Sequence, residues 1–473
     1  MSYCIYIGRN LTATRQAYLA GYGDEPSSHW LEIAPRQQHA TGATIEVGVT
    51  PQAEVPGLRS HIPQVAETFR NLRVSYSYYM GVPAPITNGG LNEYGVAVRD
   101  VWSTSHERLQ AMTPADQTGP NYSDLARIVL ERGTSARHGV EIIGELIAEH
   151  GYSTYGGNSH FIGDENEGWV VIEFAGGQKL WAAERIGPDE IRVNRPGYIG
   201  EIPADFMTHP NFMGAPHLIE FAQEQGWYDP DSGPFNVNAV YGDGKYRWDG
   251  VQWIEDEMRA RAKRPGKITL ADVMWAIRTE KLTGDTAGYG QVVPLGNIAD
   301  DSLRMLWHAP IGAMAAPFTP FYVGVDSVPP EFGPHRYLTT GEDARFVDDR
   351  KEDRKSTIPQ RIEATKSAVY IFKQLLYLLA EHHETFLGEV TPVWEAFEAA
   401  CAIEQKAVVE TAETLLSTGK PGLASKYLTD YCTTQAKRSL DLGEAMVNSM
   451  EARSRVLFGI REDKSWRGPA QIW

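Results

Sequence analysis

Met1-Ser-Tyr-Cys4-Ile-Tyr-Ile-Gly8-Arg-Asn10, together with the residues that follow as far as Gly21-Tyr-Gly-Asp24, is the stretch from which the rest of the chain is read. The apolar run after Cys4 predicts a buried strand. Leu11 to Gln16 is polar enough for a turn, and Ala17-Tyr-Leu-Ala-Gly-Tyr22 predicts a returning strand that brings Asp24 back toward Cys4. If the three residues before it are removed, Cys4 carries a thiol and a free α-amine on one residue. Such an amine titrates at about 7.7–8 and can act as base for its own nucleophile. The alternative is a small buried hydrophobe, the usual fate of a free cysteine, and these residues alone leave both readings open.

The chain has 473 residues, enough for two or three domains, or for one large domain with a helical appendage. Hydrophobic residues make up 42% and charged residues 22%, as in an ordinary globular protein. No run suits a signal peptide or a membrane span, so a cytoplasmic chain with no membrane partner is expected. A net charge of −17 argues against nucleic acid, which needs clustered Lys and Arg. Cys4, Cys401 and Cys432 form no spaced framework for a disulfide or a thiolate metal site. His382-His383 are adjacent in a helical stretch and point to different faces, so no metal is expected there. Phosphate loops, a dinucleotide glycine fingerprint, His-Glu-x-x-His and G-x-S-x-G are all missing, and no cofactor is expected.

Thr44 to Val49 and Leu72 to Tyr79 alternate like half-buried strands, and Ile86 to Val98 predicts a hairpin turning at Asn92-Glu-Tyr-Gly95. The period then changes. Ser123 is placed to cap a helix that closes at Gly133, and a second helix carries Val140, Ile143, Leu146 and Ile147 up to Gly151. Strands resume at 159–163, 168–174, 179–183 and 190–194, too closely spaced for crossover helices, which predicts an antiparallel meander. Residues 203–265 are rich in Pro, Gly, Trp and Tyr and predict long loops over the rim of a site. Trp227, Tyr228, Tyr246, Trp248 and Trp253 either line a pocket there or pack the loops. Thr269 to Asp272 opens a short helix, and strands follow at 303–307 and 321–324. From Pro359 to Gly459 the period is helical, with breaks expected at Gly388–Pro392 and Gly419–Gly422. The organisation read from this is an α+β layered domain over residues 1–358 with a helical segment, 359–473, packed on it.

Cys4-Ile-Tyr-Ile-Gly8, Asp24, Gly90-Leu-Asn-Glu-Tyr-Gly-Val-Ala97, Leu125 to Arg132, Gly157-Asn-Ser-His-Phe-Ile-Gly-Asp164, Gly168 to Glu173, Trp181 to Arg185 and Val193-Asn194 run in one order. In that order the chain resembles the dipeptidase A family of cysteine dipeptidases, N-terminal-nucleophile hydrolases related to secernins. Pro320 to Gly324, Val328-Pro329 and Leu428 to Tyr431 extend the likeness over nearly the full length. The resemblance implies an αββα sandwich of two antiparallel sheets covered by helices, with the nucleophile at the start of a central strand and residues 1–3 as a propeptide. It implies Cys4 as nucleophile, Asp24 as the carboxylate that orients its amine and Asn194 as donor to the oxyanion. Asn92 is a candidate for the substrate-binding border, beside its reading as a turn residue. The activity implied is that of a dipeptidase on small peptides, with no cofactor or metal and with a homo-oligomer as one arrangement. An N-acyl amidase or acyltransferase of the same fold acting on N-acyl amino acids, and a catalytically silent binding protein, are the alternatives. Where the family carries an arginine and then an asparagine before the residue matching Asp24, this chain has Gly21 and Tyr22, and Ile5 replaces a threonine. Either another cation, Arg9 or Arg15, supports the thiolate, or the substrate differs.

Overall fold

The computed structural model describes residues 2–23, 29–76, 82–83, 85–284, 287–333 and 366–459. The main strands are β1 (Tyr3–Ile7), β2 (Ala17–Tyr22), β3 (His29–Ala34), β4 (Asn71–Tyr76), β5 (Ile86–Asn92), β6 (Ala97–Trp102), β7 (Asn158–Gly163), β8 (Gly168–Glu173), β9 (Trp181–Ile186), β10 (Ile191–Asn194), β11 (Phe212–Gly214), β12 (Gly290–Leu295), β13 (Met305–Ala309) and β14 (Thr319–Tyr322). The main helices are α1 (Tyr122–Arg132), α2 (Ala136–His150), α3 (Asp249–Ala262), α4 (Leu270–Arg278), α5 (Ala368–Glu381), α6 (His383–Ser417) and α7 (Pro421–Phe458).

One sheet has six strands in the order β10-β1-β2-β12-β13-β14, and the other has eight in the order β11-β9-β8-β7-β6-β5-β4-β3. Every neighbouring pair runs antiparallel. All five residues of β1 are buried, without the alternation of a half-wet strand, because one face meets the other sheet and the opposite face is roofed by helices. The two sheets touch through β1 and β2 against β6 and β7. Contact between them also falls at Gly168 in β8, where an added Cβ would come within 2.6 Å of the Tyr6 ring of β1. Helices α1 and α2 lie on the eight-stranded sheet, while α3, α4 and α7 lie against the six-stranded one. The layering is αββα, as expected. Among the described residues no helix is long and apolar enough to cross a membrane.

The first hairpin, both helices between the strand sets and the meander from β7 to β9 stand where the pattern placed them. Several details differ. Helix α1 is capped by Asn121, whose side chain accepts from Asp124 N at 3.0 Å while Asp124 Oδ2 accepts from Asn121 N at 3.1 Å. Ser123 instead accepts the backbone N–H of Thr87 at 2.7 Å. The fourth strand of the expected meander, β10, leaves its neighbours and pairs with β1 in the other sheet. Residues 249–262, inside the stretch read as loops, form α3, whose buried face is Val251, Ile254, Glu255 and Met258. The break expected at Gly388–Pro392 falls at His382, and α6 runs through Pro392 because Phe386, Val390, Trp394 and Phe397 bury one continuous stripe. The division at 358/359 lies outside the described residues. Glu398 of α6 binds Arg278 of α4 at 3.0 Å and accepts Phe318 N at 2.7 Å, so the later helices share a buried ion pair with the sheet layers.

His308 in β13 is fully buried near Tyr289 and Phe321, and among the described residues neither ring nitrogen has a hydrogen-bond partner. Burial pushes its pKa down to about 3. Above the unfolded value of about 6.5 the ring is neutral in both states. Below it the unfolded chain takes up a proton that the folded chain refuses, so stability is lost as pH falls from there, at about 1.4 kcal/mol per pH unit. His308→Leu is expected to be more acid-stable than wild type, by about 2 kcal/mol more at pH 5 than at pH 7. Denaturant melts at the two pH values measure this, and a constant difference between the proteins contradicts it.

Candidate active site

Cys4 in β1 stands between two strands in register, with Asn194 of β10 opposite it on one side and Gly21 of β2 on the other. All of these lie inside the sandwich, and Cys4 and Asn194 have no exposed surface. The Cys4 thiol donates a long bond, 3.9 Å, to the Asp100 carbonyl of β6 in the facing sheet. Asn194 Nδ2 donates to Tyr198 O at 3.3 Å, which leaves the second N–H of that amide to give. Its Oδ1 is buried without a partner among the described residues.

Strand β10 is an edge strand, so the backbone groups on its outer side need partners. Glu255 of α3 accepts Val193 N at 2.8 Å, and Arg247 Nη1 donates to Val193 O at 2.6 Å and to Glu255. The residue before Asn194 is thereby clamped from outside. The residue after it, Arg195, reaches the chain start and donates to Ser2 O at 3.0 Å and Ser2 Oγ at 3.1 Å.

Arg99 of β6 enters from the facing sheet and is fully buried. It binds Asp100 and Asn88 through Nη1, with the Asn88 carbonyl at 3.1 Å, and lies 5.0 Å over the Tyr289 ring. A Cβ placed on Gly21 would fall 2.7 Å from Tyr3 O, 3.1 Å from Cys4 Sγ and 3.2 Å from Arg99 Cγ. The carbonyl before Cys4, its thiol and the stem of the buried arginine thus share one small volume. That volume exists because residue 21 has no side chain. Burial pushes the Asp100 carboxyl upward against the pull of Arg99. Asp100 pairs with His160 of β7, which binds Glu173 at 2.7 Å through Nδ1 and the Tyr122 carbonyl at 2.9 Å through Nε2. Burial opposes the imidazolium, and Glu173 overcomes it and raises the His160 pKa.

Of the residues singled out from sequence, the structure brings together Cys4 and Asn194, and Asp24 lies outside the described residues. Asn92 is a correction. Its Nδ2 donates to Leu130 O at 3.1 Å and Gly133 O at 2.8 Å, and its Oδ1 accepts from Tyr94 N and Val96 N, each at 3.0 Å. With these polar positions spent on tying the β5–β6 turn to the end of α1, its structural role is that of a turn residue. Arg9 and Arg15 are corrections too. They follow the far end of β1, with Arg9 on Asn166 at 2.9 Å, and the strand from Cys4 to Ile7 is itself about 10 Å long. Arg99 and Arg195 were missed. The signal for Arg99 was a pair of opposite charges, Arg99-Asp100, inside the otherwise apolar Ala97 to Val101.

Known proteins match this chain over part of its length. The model of peptidase family C69 matches residues 78–248, a stretch that begins after Cys4 and includes Arg99, Asp100, Asn194 and Arg195. A probable dipeptidase of Salmonella dublin is 30% identical over 156 residues, 32% of this chain and 34% of its own length. One of Latilactobacillus sakei is 27% identical over 154 residues, 32% of this chain and 31% of its own. The chain therefore spans about a third of the length of the curated relatives it matches. Among solved structures, a mutant of conjugated bile acid hydrolase from Clostridium perfringens is 10% identical with a TM-score of 0.36, over 77% of this chain and 100% of that one. A second variant of the same hydrolase has a TM-score of 0.35 at 10% identity, over 77% and 99%.

Proposed function

We propose that the chain, whose residues 78–248 match the model of peptidase family C69, is a cysteine-type amide hydrolase of small peptides, dipeptidase-like, matured by removal of the residues before Cys4. The observation that carries this reading is the position of Cys4, opposite Asn194 in the sheet with a buried cation on the facing strand. Once freed, the Cys4 amine takes the proton of the thiol, and the sulfur attacks the scissile carbonyl. Asn194 gives its spare N–H to the oxyanion that develops. The amine returns the proton to the leaving nitrogen, and water resolves the thioester. Arg99 supplies the positive charge that favours the thiolate, in the place where Gly21 offers none.

Two measurements test this reading together. Intact mass is expected to show wild type beginning at Cys4, and an active enzyme that still carries Tyr3 would exclude the amine as base. Iodoacetamide at neutral pH is expected to label the mature protein at Cys4 alone, because burial pushes the thiols of Cys401 and Cys432 up to about 12. Arg99→Met is expected to slow that labelling about tenfold while the fold persists, since an adjacent cation is what keeps a thiol reactive. Equal labelling rates would remove Arg99 from the site.

A further inference from the structure

One strand carries Arg99 into the site and another holds it there. Its stem passes over Gly21, and the residues paired with Gly21 in the six-stranded sheet are Cys4 on one side and Gln291 of β12 on the other. Residues directly opposite each other share a face of a sheet, so Gln291 enters the same gap between the sheets as Cys4. It is fully buried, and its Nε2 donates to Val98 O, the carbonyl just before Arg99, at 3.1 Å. Its Oε1 accepts the Tyr289 hydroxyl at 3.3 Å. Tyr289, also without exposed surface, presents its ring 5.0 Å from the Arg99 guanidinium carbon. A Cβ on Gly89 of β5 would come within 2.6 Å of Gln291 Oε1 and 2.8 Å of the Tyr289 hydroxyl, so the pair occupies space that a glycine leaves open. The ladder between β2 and β12 is made by backbone groups. Pairing those strands therefore does not require a glutamine at 291, whose burial carries a desolvation cost that only its bonds offset.

Resting on the reading that Arg99 favours the Cys4 thiolate, we propose that Tyr289 and Gln291 are positioning residues for that arginine. Tyr289 offers the aromatic face on which the guanidinium lies, and Gln291 fixes both the Tyr289 hydroxyl and the backbone from which Arg99 springs. The bonds of Nη1 to Asp100 and Asn88 hold one corner of the guanidinium. The ring attracts the cation as a whole, and more strongly where water is excluded. It also differs in kind from Asp100. A second carboxylate would cancel the charge that Cys4 needs, whereas an aromatic face holds a cation and leaves its charge in place. Glycine at 21 gives the arginine its path, glycine at 89 gives its support a seat, and the two glycines lie in different sheets.

A double-mutant cycle, read on the rate at which iodoacetamide labels Cys4 in the mature protein, tests this. Tyr289→Leu is expected to slow labelling about fivefold, for the loss of a desolvated cation–π contact, while Tyr289→Phe, which keeps the ring, stays within about twofold of wild type. Gln291→Met, close in shape but unable to make either bond, is expected to slow it about threefold. In the Arg99→Met background none of the three is expected to change the rate further, because a residue that acts through Arg99 then has nothing to act on. Equal slowing in both backgrounds gives Tyr289 and Gln291 a general structural role and overturns the proposal. Wild-type rates in Tyr289→Leu and Gln291→Met, with Arg99→Met still slow, overturn it and leave Arg99 in the site. If Arg99→Met itself labels at the wild-type rate, the underlying reading fails and takes the proposal with it. Melting curves accompany each variant, and where Tyr289→Leu has no folding transition, Gln291→Met decides by the same comparison of backgrounds.

Discussion

Cys4→Ala is expected to leave no measurable hydrolysis of any amide and a chain that still carries Ser2 and Tyr3, while its melting temperature stays within a few degrees of wild type. Without sulfur nothing adds to the Tyr3 carbonyl, so the same substitution removes both the nucleophile and the step that frees its amine. The structural cost is small, because one sulfur leaves a small cavity and the thiol's bond to Asp100 O is long, at 3.9 Å. Cys4→Ser retains a trace of both reactions, the hydroxyl being the weaker nucleophile at neutral pH. Hydrolysis at wild-type level in Cys4→Ala would end the nucleophile assignment, whatever the mass of the chain.

Asn194→Ala is expected to lower kcat by about 10²–10³ with little change in KM. The oxyanion exists only on the way to the transition state, so its donor contributes to turnover and not to ground-state binding. Stability is expected to move the other way or not at all. Asn194 is buried with Oδ1 unpartnered among the described residues and Nδ2 on a 3.3 Å bond, and an unmet buried polar group costs about 1–3 kcal/mol. A residue held at that cost is accounted for by chemistry better than by packing. A loss confined to KM would place Asn194 in substrate binding, and a variant that is both inactive and unfolded would make it a structural residue.

What the sequence disclosed followed from how local each signal is. The hairpin of β1 and β2, the caps of α2 and α4 and the meander of β7 to β9 rest on neighbours within a few residues, and they were legible. Strand β12, Gly290 to Leu295, was not read at all. Its neighbours in the sheet are β13 and β2, the latter more than two hundred residues earlier, and its Pro294 argues against a central strand. The departure of β10 to the other sheet is set by pairing with β1 and by the Arg247–Glu255 clamp, neither of which a spacing rule can see. The candidate site divides in the same way. Cys4 and Asn194 were named because they lie in motifs, whereas Arg99 reaches the site across the gap between two sheets, and only the packing shows it. A cation near residue 21 is expected from the sequence in the connection between β1 and β2, at Arg9 or Arg15, whereas the arginine that approaches residue 21 is Arg99, from the opposite layer.

That exchange of layers has a consequence for how the sequence can change. A side chain at 21 and an arginine at 99 compete for the same volume, since even a methyl group on Gly21 would lie 3.2 Å from Arg99 Cγ and 2.7 Å from the carbonyl before Cys4. Shortening Arg99 alone would not make room for a side chain at 21, because the tighter of the two contacts is with backbone; a larger residue there has to displace the start of β1 as well as the arginine.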